Sequence, residues 1–147
     1  MAKAILLAED SQDDETLFKR TLRMARLENP IFVVRDGDEA IAYLKGEGDF
    51  ADRDKHPLPA VLFLDLKMRR VNGQEVLRWI GTQPHLREML VIVLSHFGDS
   101  REINQAYSLG AKSFLTKPCT QADLDNLIAH FHSYWIQSPG DSKSKGP

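Results

Sequence analysis

Glu9, Asp10, Asp65, Ser95 and Lys117 each stand where an apolar run stops. Glu9 and Asp10 follow Ala4 to Ala8, Asp65 follows Ala60 to Leu64, Ser95 follows Leu90 to Leu94, and Lys117 follows Ser113 to Thr116. Singly, each has an ordinary explanation. Aspartate is frequent where a strand gives way to a loop, acids near a helix start complement its dipole, a lone serine there is commonly a satisfied strand-end hydroxyl, and a lone lysine a solvated surface charge. As a set they are three carboxylates, one hydroxyl and one ammonium. Three carboxylates within a few ångströms repel one another, and one of them binds a proton near neutral pH unless a cation intervenes. Mg²⁺ resolves that conflict, because it prefers hard oxygen ligands, takes one or two protein carboxylates, and fills its other positions with water and phosphate oxygens. Lys117 adds a point charge for an anion and Ser95 adds a donor. The chemistry indicated is an acidic metal pocket that accepts a phosphoryl group. Asp65 would be the nucleophile forming a mixed anhydride, while the metal and Lys117 stabilise the transferred oxygens.

Such a pocket requires elements that bring distant residues to one rim. The five apolar runs, Ala4 to Ala8, Ile31 to Val34, Ala60 to Leu64, Leu90 to Leu94 and Ser113 to Thr116, mostly lack polar alternation, as expected of strands buried on both faces of a parallel sheet. Helical patterns lie between them. Leu17, Phe18, Thr21, Leu22 and Ala25 share a face after a possible Ser11/Asp14 capping box, and Val76, Leu77 and Ile80 share another. Asp99 and Glu102 have capping spacing before Ile103, Ala106 and Tyr107, with Gly110 just beyond. Thr120 and Asp123 have it before Leu124, Leu127, Ile128, Phe131 and Trp135. Strand and helix alternating five times predict an α/β fold with helices on both faces of a parallel sheet. In such sheets ligands bind beyond the carboxyl ends of the strands, where the polar set falls.

Composition excludes several function classes. At 147 residues and 42% hydrophobic, the chain suits one core. Its net charge of -2 is far from the basic field that holds proteins on nucleic acid, and no stretch reaches the roughly 20 apolar residues of a membrane span. A single cysteine, Cys119, makes no internal disulfide, and the N-terminus does not read as a signal peptide. A cytoplasmic location is expected, with no nucleic acid and no membrane as partner. The five histidines show no metal-ligand spacing. The segment from Gly46 to Pro59, rich in Gly, Pro and Asp, predicts an exposed loop. Residues 1–137 form the expected domain, and 138–147 an expected disordered tail.

The motifs ILLAED ending at Asp10, LDLKMRRVNG around Asp65, VLSH with Ser95 and FLTKP with Lys117 and Pro118, in this order, resemble those of response regulator receiver domains from roughly Ala4 to Trp135. The resemblance implies a flavodoxin-like five-stranded sheet of strand order 2-1-3-4-5. It implies a phosphoryl group passed from a histidine kinase to Asp65, with Mg²⁺ held by Asp10, Asp65 and the main-chain carbonyl of Lys67, and by Glu9 through water. It also implies that Ser95 and Lys117 contact the new phosphoryl group, that the Lys117–Pro118 peptide is cis, and that Phe114 moves inward as a switch. The surface of the fourth helix, fifth strand and fifth helix would then change. The long loop before the third strand and the lack of an output domain resemble small stand-alone receivers that partner bacterial phytochrome kinases. The aromatic run FHSYW adds a possible homodimer through the C-terminal helix region.

Four residues depart from the family's usual pattern. Glu9 replaces the more frequent Asp, Arg69 a frequent proline, His96 a small residue, and Phe114 a frequent tyrosine. Two other carboxylate or phosphate chemistries fit less well. A haloacid-dehalogenase-like phosphatase would carry a second acid two residues after its nucleophile, where this chain has Lys67. A flavin phosphate would be repelled by Glu9, Asp10, Asp13 and Asp14, the last two being read as acids that complement the first helix dipole. The remaining alternative is a pseudo-receiver, a binding module independent of phosphorylation. In neither case is the chain expected to be an enzyme acting on a separate metabolite.

Overall fold

The apolar runs become a sheet because each is too hydrophobic to leave either face wet. In the computed structural model, which describes residues 3–96 and 100–135, the strands are β1 (Ile5–Ala8), β2 (Ile31–Val34), β3 (Val61–Asp65), β4 (Leu90–His96) and β5 (Ser113–Lys117). The helices are α1 (Gln12–Met24), α2 (Gly37–Lys45), α3 (Gly73–Ile80), α4 (Ser100–Ser108) and α5 (Gln121–His130). All strand pairs are parallel, in the order β2-β1-β3-β4-β5. Strand side chains alternate between faces, so two cores form. Leu6, Ala8, Leu62, Leu64, Val91 and Val93 pack beneath α2, α3 and α4, and Ile5, Leu7, Val61, Phe63, Ile92 and Leu94 pack beneath α1 and α5.

Three strands run further than the apolar pattern suggests: β3 includes Asp65, β4 includes Ser95 and His96, and β5 includes Lys117. The ladder continues past the last apolar side chain because pairing needs only backbone groups. Register then levels the ends. Ala8 lies opposite Leu64, Asp65 opposite Leu94, and His96 opposite Lys117.

The expected N-caps form at Ser11 and Thr120, each accepting from the backbone N–H three residues on, and a complete capping box, Asn72 with Glu75, opens α3. Ser11 caps α1 by accepting from the Asp14 N–H, but the Asp14 carboxylate does not return to the Ser11 backbone. The Ser11 N–H donates to Glu9 Oε2 instead, at 3.1 Å. Leu17, expected on the buried face of α1, is exposed, whereas Phe18 and Leu22 are buried. Tyr107 of α4 is likewise exposed while Ala106 is buried. The proposed Asp99 cap and the 138–147 tail lie outside the described residues.

The loop from Gly46 to Pro59 is mostly exposed, yet its backbone is anchored. Arg53 donates to the carbonyls of Tyr43, Leu44 and His56, satisfying the last turn of α2 where helix carbonyls lack internal partners. Phe50 and His56 pack edge-on or tilted against the Tyr43 ring. At the other end of the chain, Trp135 is buried and stacks on Phe63 with ring centroids 5.9 Å apart. Trp135 thus packs in the core, as its place on the apolar stripe of the last helix predicts, with Phe131 and Tyr134 partly buried against it.

Candidate functional site

The period of two along each strand decides which polar residues meet. Asp65 follows Phe63 by two residues, Glu9 follows Leu7, and Lys117 follows Leu115, so all three project toward the α1 and α5 side. They meet there. Lys117 Nζ lies 2.9 Å from Glu9 Oε1 and 3.2 Å from Asp65 Oδ2. Asp65 Oδ1 accepts from the Lys67 backbone N–H at 3.0 Å. Glu9 is 1% exposed and Asp65 3%, so these charges are largely withdrawn from water and interact more strongly than surface groups would.

Asp10 completes the acidic rim. Glu9, Asp10 and Asp65 each offer a carboxylate oxygen, and these oxygens lie within 4.8 Å of one another. Arg69 sits outside them, its Nε 3.7 Å from Asp10 Oδ2. One acid was missed by the sequence reading. Asp14, assigned only to the start of the first helix as capping and dipole acid, places Oδ2 2.9 Å from Lys117 Nζ. Its position, one helical turn past Asp10, was the available sequence clue.

Ser95 and Phe114 fall on the other side of the sheet, because Ser95 has the parity of Val91 and Val93, and Phe114 that opposite to Leu115. Ser95 is buried, and its hydroxyl donates to the His96 carbonyl at 2.9 Å. Phe114 is 38% exposed and meets Tyr107 edge-on, with centroids 6.3 Å apart. Both residues lie at the expected places along their strands, and neither has its side chain on Asp65 here. The Lys117–Pro118 peptide is cis. Burial, reinforced by Asp123, pushes the Cys119 thiol up to about 11, which suits a packed rather than a reactive cysteine.

Three acids contact Lys117, and a fourth, Asp10, has only the more distant Arg69 among the described residues, so negative charge is in excess. Burial, together with the neighbouring Asp65 charge, pushes the Glu9 carboxyl up to about 7 despite its bond to Lys117. Burial alone would lower the Lys117 ammonium, but its bonds to Glu9 and Asp14 and the charges of Asp65 and Glu9 outweigh it, and Lys117 stays protonated. A compact set of hard oxygen donors with surplus charge fits a divalent cation.

The Glu9 shift has a measurable consequence. A carboxyl whose folded pKa is raised binds its proton more tightly in the folded chain, so its contribution to stability is lost as pH rises from 4.5 through about 7. Thermal melts of the metal-free protein should show wild type losing stability relative to Glu9→Gln across that window. An unchanged difference between the two proteins from pH 4.5 to 7 would contradict the assignment.

A family model for the response regulator receiver domain matches residues 5–129. The curated response regulator Rcp1 of Synechocystis sp. is 30% identical over 92% of this chain and 90% of its own. Among solved structures, the bacteriophytochrome response regulator RtBRR is 36% identical with a TM-score of 0.82, covering 98% of this chain and 89% of that one. The phosphorylated cyanobacterial phytochrome response regulator RcpA is 31% identical with a TM-score of 0.76, covering 92% and 94%.

Proposed function

The chain belongs to the response regulator receiver domain family, and from that premise we propose that it is a phosphoacceptor switch whose acceptor is Asp65. The phosphoryl donor is a histidine kinase. Similarity to the bacteriophytochrome response regulator RtBRR and the cyanobacterial phytochrome response regulator RcpA makes a bacterial phytochrome the kinase class to test first. The observation that carries the proposal is the buried contact of Lys117 Nζ with Asp65 Oδ2 inside a pocket rimmed by Glu9 and Asp10.

In the proposed reaction, a carboxylate oxygen of Asp65 attacks phosphorus and forms an acyl phosphate. The bond from phosphorus to the leaving group breaks, and the leaving group takes its electron pair. Water later attacks the same phosphorus, returning inorganic phosphate and the free carboxylate. Asp10, Asp65 and the Lys67 carbonyl would hold Mg²⁺ directly and Glu9 would hold it through water; when bound, it neutralises charge on the phosphoryl oxygens. Lys117 supplies a fixed positive charge to one of those oxygens. Ser95 supplies a donor from the end of β4 once its hydroxyl turns away from the His96 carbonyl. Phe114, outward beside Tyr107, is the side chain that would move inward behind Ser95 and alter the α4, β5 and α5 surface. The chain would thus catalyse only its own phosphorylation and dephosphorylation. Among the described residues no helix is long and apolar enough to cross a membrane. A homodimer through the C-terminal helix region remains a separate proposal, resting on Phe131 and Tyr134, since Trp135 is buried.

The test is intact-mass measurement after incubation with acetyl phosphate, with and without Mg²⁺. A gain of one phosphoryl mass, removed by hydroxylamine and dependent on Mg²⁺, is expected. An unmodified chain would favour the pseudo-receiver alternative.

A further inference from the structure

Lys117 carries three ammonium hydrogens, and the structure gives it three carboxylates: Glu9 Oε1 at 2.9 Å, Asp14 Oδ2 at 2.9 Å and Asp65 Oδ2 at 3.2 Å. An ammonium has three donors and no more; two are hydrogen-bonded, to Glu9 and Asp65, and Asp14 holds the cation as an ion pair. When Asp65 becomes an acyl phosphate its charge passes to the phosphoryl oxygens and its contact with Lys117 passes with it; a second phosphoryl contact to the ammonium then competes with Glu9 or Asp14. Burial decides which one. The Glu9 and Asp65 side chains are 2% and 4% exposed, whereas that of Asp14 is 34% exposed. Releasing Glu9 would leave a buried carboxylate without its cation, held only by the Ser11 N–H among the described residues, which is costly. Releasing Asp14 returns a carboxylate to water, where an ion pair is worth little.

We propose that Asp14 is a positioning residue: a releasable third anchor that holds Lys117 in the resting protein, gives way to a phosphoryl oxygen, and so slows phosphoryl capture by Asp65. The inference rests on the phosphoacceptor reading of Asp65. Asp14 is well placed for it because the Ser11 cap fixes its backbone at the first turn of α1. Its side chain and Lys117 line one cleft with Phe18 and Cys119. Its negative charge also opposes an incoming phosphate, so its removal frees a donor and lowers a repulsion together.

The experiment compares the full chain as wild type, Asp14→Asn and Asp14→Glu. Phosphorylation by acetyl phosphate with Mg²⁺ is followed by intact mass, and exchange of the Lys117 ammonium protons in metal-free, ¹⁵N-labelled protein is followed by NMR. Asp14→Asn is expected to be phosphorylated about fivefold faster, the factor a partly exposed ion pair commands, while Asp14→Glu restores the wild-type rate. The Lys117 protons should exchange faster in Asp14→Asn than in wild type. A merely structural role for Asp14 would move the thermal midpoint and leave these rates alone. An Asp14→Asn rate at or below that of a normally phosphorylated wild type would overturn the inference. A wild type that takes no phosphoryl group would instead overturn the reading of Asp65 and the release step with it, and the NMR comparison would still report whether Asp14 anchors Lys117.

Discussion

Asp65→Asn is expected to leave a folded protein whose phosphorylation by acetyl phosphate falls by at least about a thousandfold, since deleting a nucleophile removes the bond-forming step itself. Asparagine matches aspartate in size and retains the oxygen that accepts the Lys67 N–H at 3.0 Å. Lys117 would keep Glu9 and Asp14, both at 2.9 Å, so it should not be left unpaired. Removing one of several crowded acids also relieves repulsion on Glu9, which Asp65 helps push up to about 7. The variant should therefore melt no lower than wild type in metal-free buffer. Phosphoryl mass persisting on Asp65→Asn would show that another residue is the acceptor.

Gly73→Ala should damage both stability and phosphorylation. Gly73 opens α3, and its N–H donates to the Leu66 carbonyl at 3.1 Å, closing the segment that follows Asp65. A Cβ there would lie 2.6 Å from the Asp65 carbonyl oxygen and 2.7 Å from Leu66 Cα. Both are backbone atoms at the mouth of the pocket, so relief requires moving the end of β3. Gly37 makes a similarly close approach to the same loop, where an added Cβ would meet the Val71 carbonyl oxygen. Overpacking of this kind costs about 3 kcal/mol, roughly 10 °C in Tm for a chain of this size. Chemical denaturation should show that loss, and phosphorylation should fall even at temperatures where Gly73→Ala is folded, because the displaced atoms belong to Asp65. A variant with wild-type stability and rate would mean that the approach of α3 to β3 is not what positions the acceptor.

Much of this arrangement was legible before the fold was known. Strand positions followed from uninterrupted apolar runs, and the rim residues from where those runs stop. The ends were read a residue or two short at Asp65, Ser95 and Lys117, because ladder hydrogen bonds are indifferent to side-chain polarity. The exposed loop from Gly46 to Pro59 was read from its turn residues, but not its anchoring. Arg53 reaches the α2 carbonyls only because Tyr43, Phe50 and His56 pack into a platform beside it. Trp135 was legible as a core residue from its place on the last helix's apolar face, but its partner Phe63 was not.

By itself, the sequence determined the α/β class, the order of strands and helices along the chain, and the identity of the acids, hydroxyl and ammonium at the strand ends, since a local pattern records which faces and ends can be wet. Only the tertiary structure decided which of those wet groups touch. The meeting of Asp14 with Lys117, the outward Phe114 and the two glycine contacts depend on how far each helix is turned and seated against the sheet, and that is set by packing among residues distant in the chain.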